Sequence, residues 1–391
     1  MTDSLISASQ EPQNSFKAVI VYFSSTTNTR YIAEHIANVL SQQKLKKGES
    51  IEVQTFDGLE LFQAADLGAP GIIPKVDVSK IEKFGNFLNF LKTAKLFGIG
   101  CYTYALQPPP LILRFLHDSI IGDQYFQSVK HFFTFSTHGS LSSLACSILA
   151  QHLSRRLHEA IYLGKIDIHT PENYPPLIPI RSQKDLWEKS EIVKLSAFEG
   201  KLISNIQDPT YKGEKFMKVS FDLSKMQKSV HNSLGQLTVD PDKCIGCGTC
   251  YRKCPYNAIH FQKVNGIVHI DDKEQDSDLG SKQKESTTKI PVFDSIRCQH
   301  CCRCYNNCPV HAIEFLKCNT PLRGQYKGPQ YKPKTDNDDE ASETKDQEKE
   351  MLFGKLPFLP VLFWRNTIGQ NLLIYYIIAV VVLALIVFLL I

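Results

Sequence analysis

Eight of the twelve cysteines fall into two copies of one spacing, C-x2-C-x2-C-x3-C followed by proline. Run one consists of Cys244, Cys247, Cys250 and Cys254, with Pro255 after it. Run two consists of Cys298, Cys301, Cys304 and Cys308, with Pro309 after it. Thiolates at such short spacing are metal ligands, and the alternatives to iron–sulfur clusters are zinc sites or disulfides. Zinc sites pair two C-x2-C halves across a longer gap, and neither alternative explains three cysteines at intervals of three, twice. The pattern therefore predicts iron–sulfur ligation.

This spacing resembles the cysteine runs of bacterial ferredoxins, in which the fourth cysteine of each run ligates the cluster of the other run. The resemblance implies two [4Fe–4S] clusters in one small α+β domain, residues 236–318. It assigns cluster one to Cys244, Cys247, Cys250 and Cys308. It assigns cluster two to Cys298, Cys301, Cys304 and Cys254. Ala258-Ile259 and Ala312-Ile313 continue the two runs in parallel.

The residues between the ligands differ between the two runs. Run one has Gly246 and Gly248, whereas run two has the larger polar residues Gln299, His300 and Arg303. This difference predicts that cluster two is the more exposed or has the higher potential, and that it faces a partner. The remaining cysteines are expected to be ordinary thiols, as suits a reducing compartment: Cys101, Cys146, Cys302 and Cys318.

The segment between the runs is longer than a two-cluster unit needs. Residues 259–270 are predicted to form a hairpin that turns at Asn265-Gly266. Residues 271–289 are polar and are expected to be a surface insertion.

Residues 16–205 alternate short apolar runs with helical patterns. Residues 16–23 (FKAVIVYF) are nearly all apolar, as expected for a buried parallel strand. Further strands are predicted at residues 50–56, 95–101, 130–135 and 161–169. Besides a helix after residue 29, helices are predicted near residues 80–93, 109–119, 140–158 and 183–205. The alternation predicts an α/β fold with a doubly wound parallel sheet, whose ligands sit at the carboxyl ends of the strands.

The polar turn after the first strand is the candidate ligand site of this sheet. It reads Ser24-Ser25-Thr26-Thr27-Asn28-Thr29. Hydroxyl groups and the free N–H groups of a helix N-terminus form a receptacle for phosphate. The turn has no P-loop lysine and no GxGxxG, which argues against ATP and a Rossmann dinucleotide. A monophosphate ester such as FMN fits, although an ordinary N-capped helix explains the same residues equally well.

The segment VYFSSTTNTRYIAEHIA resembles the first strand and phosphate loop of flavodoxins, especially the YFSGTGNT form of flavodoxin–ferredoxin fusions. Ser24, Thr26, Asn28 and Thr29 match that loop, and Ser25 and Thr27 stand where the family more often has glycine. The resemblance implies a flavodoxin-like domain over residues 16–205 that binds FMN, with two further loops at the flavin ring. Their residues are Tyr102, Thr103 and Tyr104, and Ser136, Thr137, His138 and Gly139. The two tyrosines are equally explained as core aromatics, and no residue is assigned a catalytic role.

The two ends of the chain differ strongly in composition. Residues 372–391 carry no charge, glycine or proline, and at about 1.5 Å per residue they can cross a hydrocarbon core of about 30 Å. Residues 351–364 are apolar but interrupted by glycine and proline, which is typical of an interfacial segment, here taken as residues 351–371, or of a segment that packs on the ferredoxin domain. The charged residues 319–350 predict a disordered tether, and the polar residues 1–15 a disordered N-terminus without a signal peptide. We therefore expect a tail-anchored protein with a cytosolic head, at the endoplasmic reticulum in preference to an organelle outer membrane.

With residues 206–235 as a linker, these parts leave no region for an NAD(P)H-binding domain. FMN and the clusters together predict a membrane-tethered electron-transfer protein, whose partner is another redox protein at a membrane. The formal charge of +4 is too small to indicate a nucleic acid partner. Two alternatives stay open. One is a flavin-dependent quinone or nitro reductase fed by its clusters, and the other is an iron–sulfur sensor that has lost its flavin.

Overall fold

The computed structural model describes residues 15–46, 48–64, 78–117, 120–139, 144–171, 189–220, 236–264, 288–295, 297–315 and 325–326. All of them belong to one unit, Met1–Gln330. The predicted interfacial segment, the apolar stretch 372–391 and nearly all of the predicted tether lie outside the described residues. Within the described residues, no helix is both long and apolar enough to cross a membrane.

Five parallel strands form one sheet in the order β2-β1-β3-β4-β5. The strands are β1 (Phe16–Phe23), β2 (Ile51–Asp57), β3 (Leu96–Tyr102), β4 (His131–His138) and β5 (Ile161–His169). In the register of the sheet, Ala18 lies between Val53 and Leu96. The predicted α/β class and all five parallel strands are confirmed. The strand order is that of the flavodoxin-like doubly wound sheet, and it places the topological switch between β1 and β3.

Helices cover both faces of this sheet. One face packs against α1 (Asn28–Ser41) and α6 (Lys189–Gln207). The other packs against α2 (Gly58–Ala64), α3 (Val78–Leu91), α4 (Pro110–Phe115) and α5 (Ala145–Ser154). Fully buried rings such as Phe97, Phe115 and Phe133 fill the two layers, each worth about 1.5–3 kcal/mol relative to exposure. Helix α2 was not predicted, because seven residues are too few to show a helical period.

The chain after α6 stays against the sheet part. The amide of Glu214 donates a hydrogen bond to the carbonyl of Tyr162 at 2.8 Å, and the side chain of Gln151 binds both backbone polar groups of Val219. The ring of Phe216 meets the ring of Tyr162 edge to face. The first part of the predicted linker therefore lies along β5 and α5.

The cysteine part, residues 236–315, is built from two short two-stranded sheets and two one-turn helices. Strand β6 (Leu237–Val239) pairs with β9 (Ile313–Phe315), and β7 (Ile259–Val264) pairs with β8 (Thr288–Phe293). The helices are α7 (Thr249–Lys253) and α8 (Arg303–Asn307). The predicted turn at Asn265-Gly266 lies outside the described residues. The partner seen for β7 is β8, on the far side of the insertion, and β8 was not predicted.

A buried carboxylate joins α1 to α6. Nδ1 of His35 lies 2.7 Å from Oε1 of Glu199, whose side chain is only 3% exposed. The hydrogen bond to Glu199 raises the pKa of His35, against the opposing effect of burial. Because the folded-state pKa is raised, protonated His35 stabilises the fold below its unfolded-state pKa, and this stabilisation is lost as pH rises through the folded-state pKa.

We therefore expect H35Q to lower the free energy of unfolding by about 1–2 kcal/mol near pH 6, and by clearly less near pH 8.5. Urea denaturation followed by circular dichroism measures both values. H158Q is the matched control, since His158 is exposed. A stability difference that does not change with pH would contradict the expectation.

Candidate functional site

Two cavities in the cysteine part are lined by the eight cysteines of the two runs. The first encloses about 340 Å³, partly open to solvent, and its cysteines are Cys244, Cys247, Cys250 and Cys308. The second encloses about 300 Å³, also partly open, and it is lined by Cys298, Cys301, Cys304 and Cys254, together with Cys302. Each cavity therefore brings together the four cysteines that the resemblance assigned to one cluster, three from one run and one from the other.

The two runs reach this arrangement through the same backbone conformation. Gly246 and Gly248 of run one have φ of 65° and 71°, in the left-handed region that glycine tolerates. At the equivalent positions of run two, His300 and Cys302 have φ of 47° and 57°. Gly248 and Cys302 each precede a one-turn helix that carries the third cysteine of its run. The larger residues of run two thus adopt the same path as the glycines of run one.

The sulfur atoms of Cys254 and Cys308 accept hydrogen bonds, as the ligands of iron–sulfur clusters do. The amides of Ala258 and Ala312 donate hydrogen bonds at 3.3 Å to Sγ of Cys254 and Sγ of Cys308, respectively. Burial raises the pKa of the Cys298 thiol to about 12, so it keeps its proton unless a metal binds. Among the described residues, no three metal-ligating side chains converge on a single ion. A four-iron cluster does not require this, because each cysteine binds a different iron.

Run one is the more exposed of the two runs. Cys247 is exposed and the neighbouring Ile245 is 65% exposed, whereas His300 and Cys302 of run two are each 2% exposed. The prediction that cluster two is the more exposed is therefore wrong. The large polar residues of run two do not mark a solvated loop, because that loop is covered within the fold.

The three predicted flavin loops meet at the carboxyl edge of the sheet. The hydroxyl groups of Thr29 and Thr137 lie 2.9 Å apart, and the amide of Thr103 donates a hydrogen bond to the carbonyl of Thr137 at 2.8 Å. Nε2 of His169, at the end of β5, lies 2.8 Å from the carbonyl oxygen of Gly139. The strand order therefore brings together residues that are more than one hundred positions apart in the chain.

The loop of residues 24–29 has the features of an anion site. Ser24 is 6% exposed, and its Oγ has no hydrogen-bond partner among the described residues. Asn28 and Thr29, which begin α1, are also buried. Thr27 adopts a left-handed φ of 74°, which explains why a glycine suits this position. An orphaned buried hydroxyl beside the N-terminus of a fourteen-residue helix fits a phosphate monoester.

Ser136 and His138, predicted to lie in a loop at the flavin ring, have other neighbours in the structure. The hydroxyl of Ser136, fully buried, donates a hydrogen bond to Asp167 and is thereby turned into the sheet. The ring of His138 lies against the ring of His169, with centroids 5.6 Å apart. Burial lowers the pKa of His138, so its ring is neutral near pH 7.

The two tyrosines predicted at the flavin ring turn toward run two. The hydroxyl of Tyr102 lies 3.1 Å from the hydroxyl of Tyr256, which follows Cys254-Pro255. Burial raises the pKa of both Tyr102 and Tyr256, so the pair is a neutral hydrogen bond. Burial likewise raises the pKa of Tyr104, with a further contribution from nearby Cys298. These tyrosines therefore connect the sheet edge to the second cavity.

Further contacts across this boundary were not predicted. The hydroxyl of Tyr326 donates a hydrogen bond to Oδ1 of Asn28 at 2.5 Å. Burial raises the pKa of Asp57, at the end of β2, and the nearby guanidinium of Arg303 opposes that shift. Tyr326 is 4% exposed, so the predicted disorder of the tether is wrong for this residue. No periodicity marks it, because it stands alone in a polar stretch.

The cysteine part matches known proteins in sequence. The family described as "4Fe-4S binding domain" matches residues 237–260. Ferredoxin-3 of Nostoc sp. (strain PCC 7120) is 33% identical over 75 residues, which are 19% of this chain and 74% of that protein. An uncharacterized ferredoxin of Methanocaldococcus jannaschii is 28% identical over 78 residues, 20% of this chain and 74% of that protein.

Solved structures resemble about half of the chain. An archaeal flavodoxin is 15% identical and covers 49% of this chain and 100% of its own, with a TM-score of 0.30. An oxidoreductase from Corynebacterium diphtheriae is 15% identical, covers 49% and 96%, and has a TM-score of 0.36. The assignment of the sheet part rests instead on its own strand order.

The identity with Ferredoxin-3 concerns the part that carries the cysteine cavities, and through that part the chain belongs to the ferredoxin family.

Proposed function

We propose that this chain transfers electrons singly between an FMN at the sheet edge and a partner protein, through two [4Fe–4S] clusters. The clusters would be held by the cysteine sets of the two cavities. The phosphate of FMN would be held by Ser24, Ser25, Thr26, Thr27, Asn28 and Thr29, and its ring would lie near Tyr102, Thr103, Tyr104, Thr137, His138 and Gly139. When bound, FMN supplies a group that takes two electrons and releases them one at a time, and each cluster supplies a one-electron site.

One observation carries this proposal: the second cavity adjoins the carboxyl edge of the sheet. Tyr102 ends β3 beside the flavin loops, Tyr256 lines the second cavity, and their hydroxyls are hydrogen-bonded. Such contact between the two candidate cofactor sites supports direct exchange between them. It supports a position for cluster two next to the flavin.

The residues around this contact exclude water and fix the two parts relative to each other. Tyr104 is 8% exposed, and the second cavity is closed on its inner side by Phe293 and Ile259, both nearly fully buried. A half-buried neutral pair such as Tyr102 and Tyr256 connects the two parts without introducing a charge between the cofactors.

The exposed end of the path is cluster one. Cys247 is exposed, and the apolar side chains of Ile245 and Tyr251 beside it are 65% and 51% exposed. Exposed apolar side chains next to a ligand suit transient contact with another redox protein. We propose that this partner lies at a membrane, which the apolar stretch 372–391 supports as an anchor in the lipid bilayer. We also propose that no NAD(P)H binds directly.

The orphaned hydroxyl of Ser24 favours this function over a sensor without flavin. A buried Oγ without a partner costs free energy that a bound phosphate oxygen would offset. In a sensor that had lost its flavin, no ligand would offset the free-energy cost of this buried hydroxyl.

The first test is cofactor content. After anaerobic purification of the full chain in detergent, we expect about one FMN and about eight irons per chain, with matching acid-labile sulfide. Eight irons without flavin, even after FMN is added, would reject the flavin half of the proposal.

The second test is the crossed ligation. C254S/C301S removes two ligands from one cavity, so about half of the iron should remain; C247S/C254S removes one ligand from each, so little iron should remain. C302S is the control and should keep all of the iron, because a serine hydroxyl can replace the Sγ hydrogen bond to the His300 carbonyl. The reverse result for the two double variants would mean that each run holds its own cluster.

The third test is the order of the cofactors. After rapid photoreduction of the flavin, electrons should still reach cluster two in C244S/C247S, which lacks cluster one. In C254S/C301S, which lacks cluster two, the reduction of cluster one should be largely lost. Time-resolved absorbance, together with electron paramagnetic resonance of frozen samples, distinguishes the reduction of cluster one from that of cluster two. Fast reduction of cluster one in the absence of cluster two would show that the proposed order is wrong.

A further inference from the structure

We propose that Tyr326, which follows the cysteine part in the chain, is a positioning residue of the phosphate site formed by residues 24–29. Its hydroxyl donates a hydrogen bond to Oδ1 of Asn28 at 2.5 Å, and both residues are at least nine-tenths buried. This inference rests on the proposed binding of FMN. It adds that the ligand recognised there is a phosphate monoester, and that its binding depends on run two.

The contact determines what Asn28 can offer to a ligand. An amide whose oxygen accepts a hydrogen bond presents its N–H groups to any further partner. Donors are what phosphate oxygens require, and the N-terminus of α1 adds its own N–H groups and favourable dipole. Without Tyr326, the amide of Asn28 is free to turn its oxygen toward the ligand, where it would repel an anion.

An independent observation points to a ligand at the same loop. Oγ of Ser24 is buried and lacks a hydrogen-bond partner among the described residues. A phosphate oxygen in this loop would satisfy it. The donor from Ser24 and the donor from an oriented Asn28 then belong to one anion site.

Tyr326 is held in place by run two. Its amide donates a hydrogen bond to Oδ1 of Asn306 at 2.9 Å, and Nδ2 of Asn306 donates to the carbonyl of Cys302 at 3.1 Å. The neighbouring Gln325 donates to the carbonyls of Tyr305, at 2.8 Å, and Cys308. A continuous chain of hydrogen bonds therefore leads from the wall of the second cavity to the phosphate loop.

The test compares FMN with riboflavin, which has the same ring and no phosphate. Fluorescence titration of the iron-loaded full chain should show that Y326F binds FMN about five- to tenfold more weakly, with riboflavin binding unchanged. Y125F removes the same atom from a half-buried tyrosine between α4 and β4, and it should leave both affinities unaltered. In an N28A background, Y326F should have little further effect on FMN, because its partner is already missing.

Several outcomes would overturn the inference. An unchanged or increased FMN affinity in Y326F would mean that Tyr326 does not orient the site, or that it competes with the ligand. Equal weakening of FMN and riboflavin, or loss of iron in Y326F, would show a structural role only. If inorganic phosphate competes with FMN equally well in wild type and Y326F, the site does not use this contact. If the wild-type chain binds neither flavin, the proposed function itself has failed, and the inference fails with it.

Discussion

The rest of the molecule depends on one constraint, namely that Cys254 and Cys308 each line the cavity of the other run. Two cavities that exchange a wall residue belong to one compact unit. The β6–β9 pairing, in which strands before run one and after run two meet, closes the same unit. We therefore regard the cysteine part as one folding unit.

This unit lies at the only edge of a doubly wound sheet where ligands normally bind. The contacts at that edge come from both parts: Tyr102 with Tyr256, and Asn28 with Tyr326. A carrier with freely moving domains would bury no such pairs, and electrons would wait for chance encounters. Here hydrogen bonds connect the two candidate cofactor sites. Cys247 and Ile245 of run one are exposed at the surface of the described fold.

The sequence predicted well what depends on local spacing. Cysteines three residues apart indicate their ligand role, and the apolar run at residues 16–23 indicates a buried strand, because both signals lie within one element. It failed where tertiary neighbours decide. His300 stands in a polar segment of the sequence, yet it is buried against Phe315 in the fold, and Tyr326 carries no pattern in a polar stretch. The pairing of β7 with β8 across the insertion could not be predicted from local sequence either. The described residues thus show the ligands where they were expected and the boundary between the parts where no pattern indicated it.

Backbone strain gives an independent argument that both edges of this boundary are functional. The described residues with positive φ that are not glycine are Thr27, Ala105, Leu106, Asn257, His300, Cys302 and His311. One lies in the phosphate loop, two follow Tyr104, and four lie in or just after the cysteine runs; none lies elsewhere in the described residues. A left-handed conformation costs an ordinary residue about 1–2 kcal/mol, and it persists only where the surroundings determine it. A β-branched residue such as Thr27 is especially unfavourable there. Ala105 and Leu106 form the two-residue turn between Tyr104 and Gln107, where positive φ is usual, and asparagine and histidine tolerate it. The unusual positions are therefore Thr27, in the loop of residues 24–29, and Cys302, at the second cavity, each next to a candidate cofactor site.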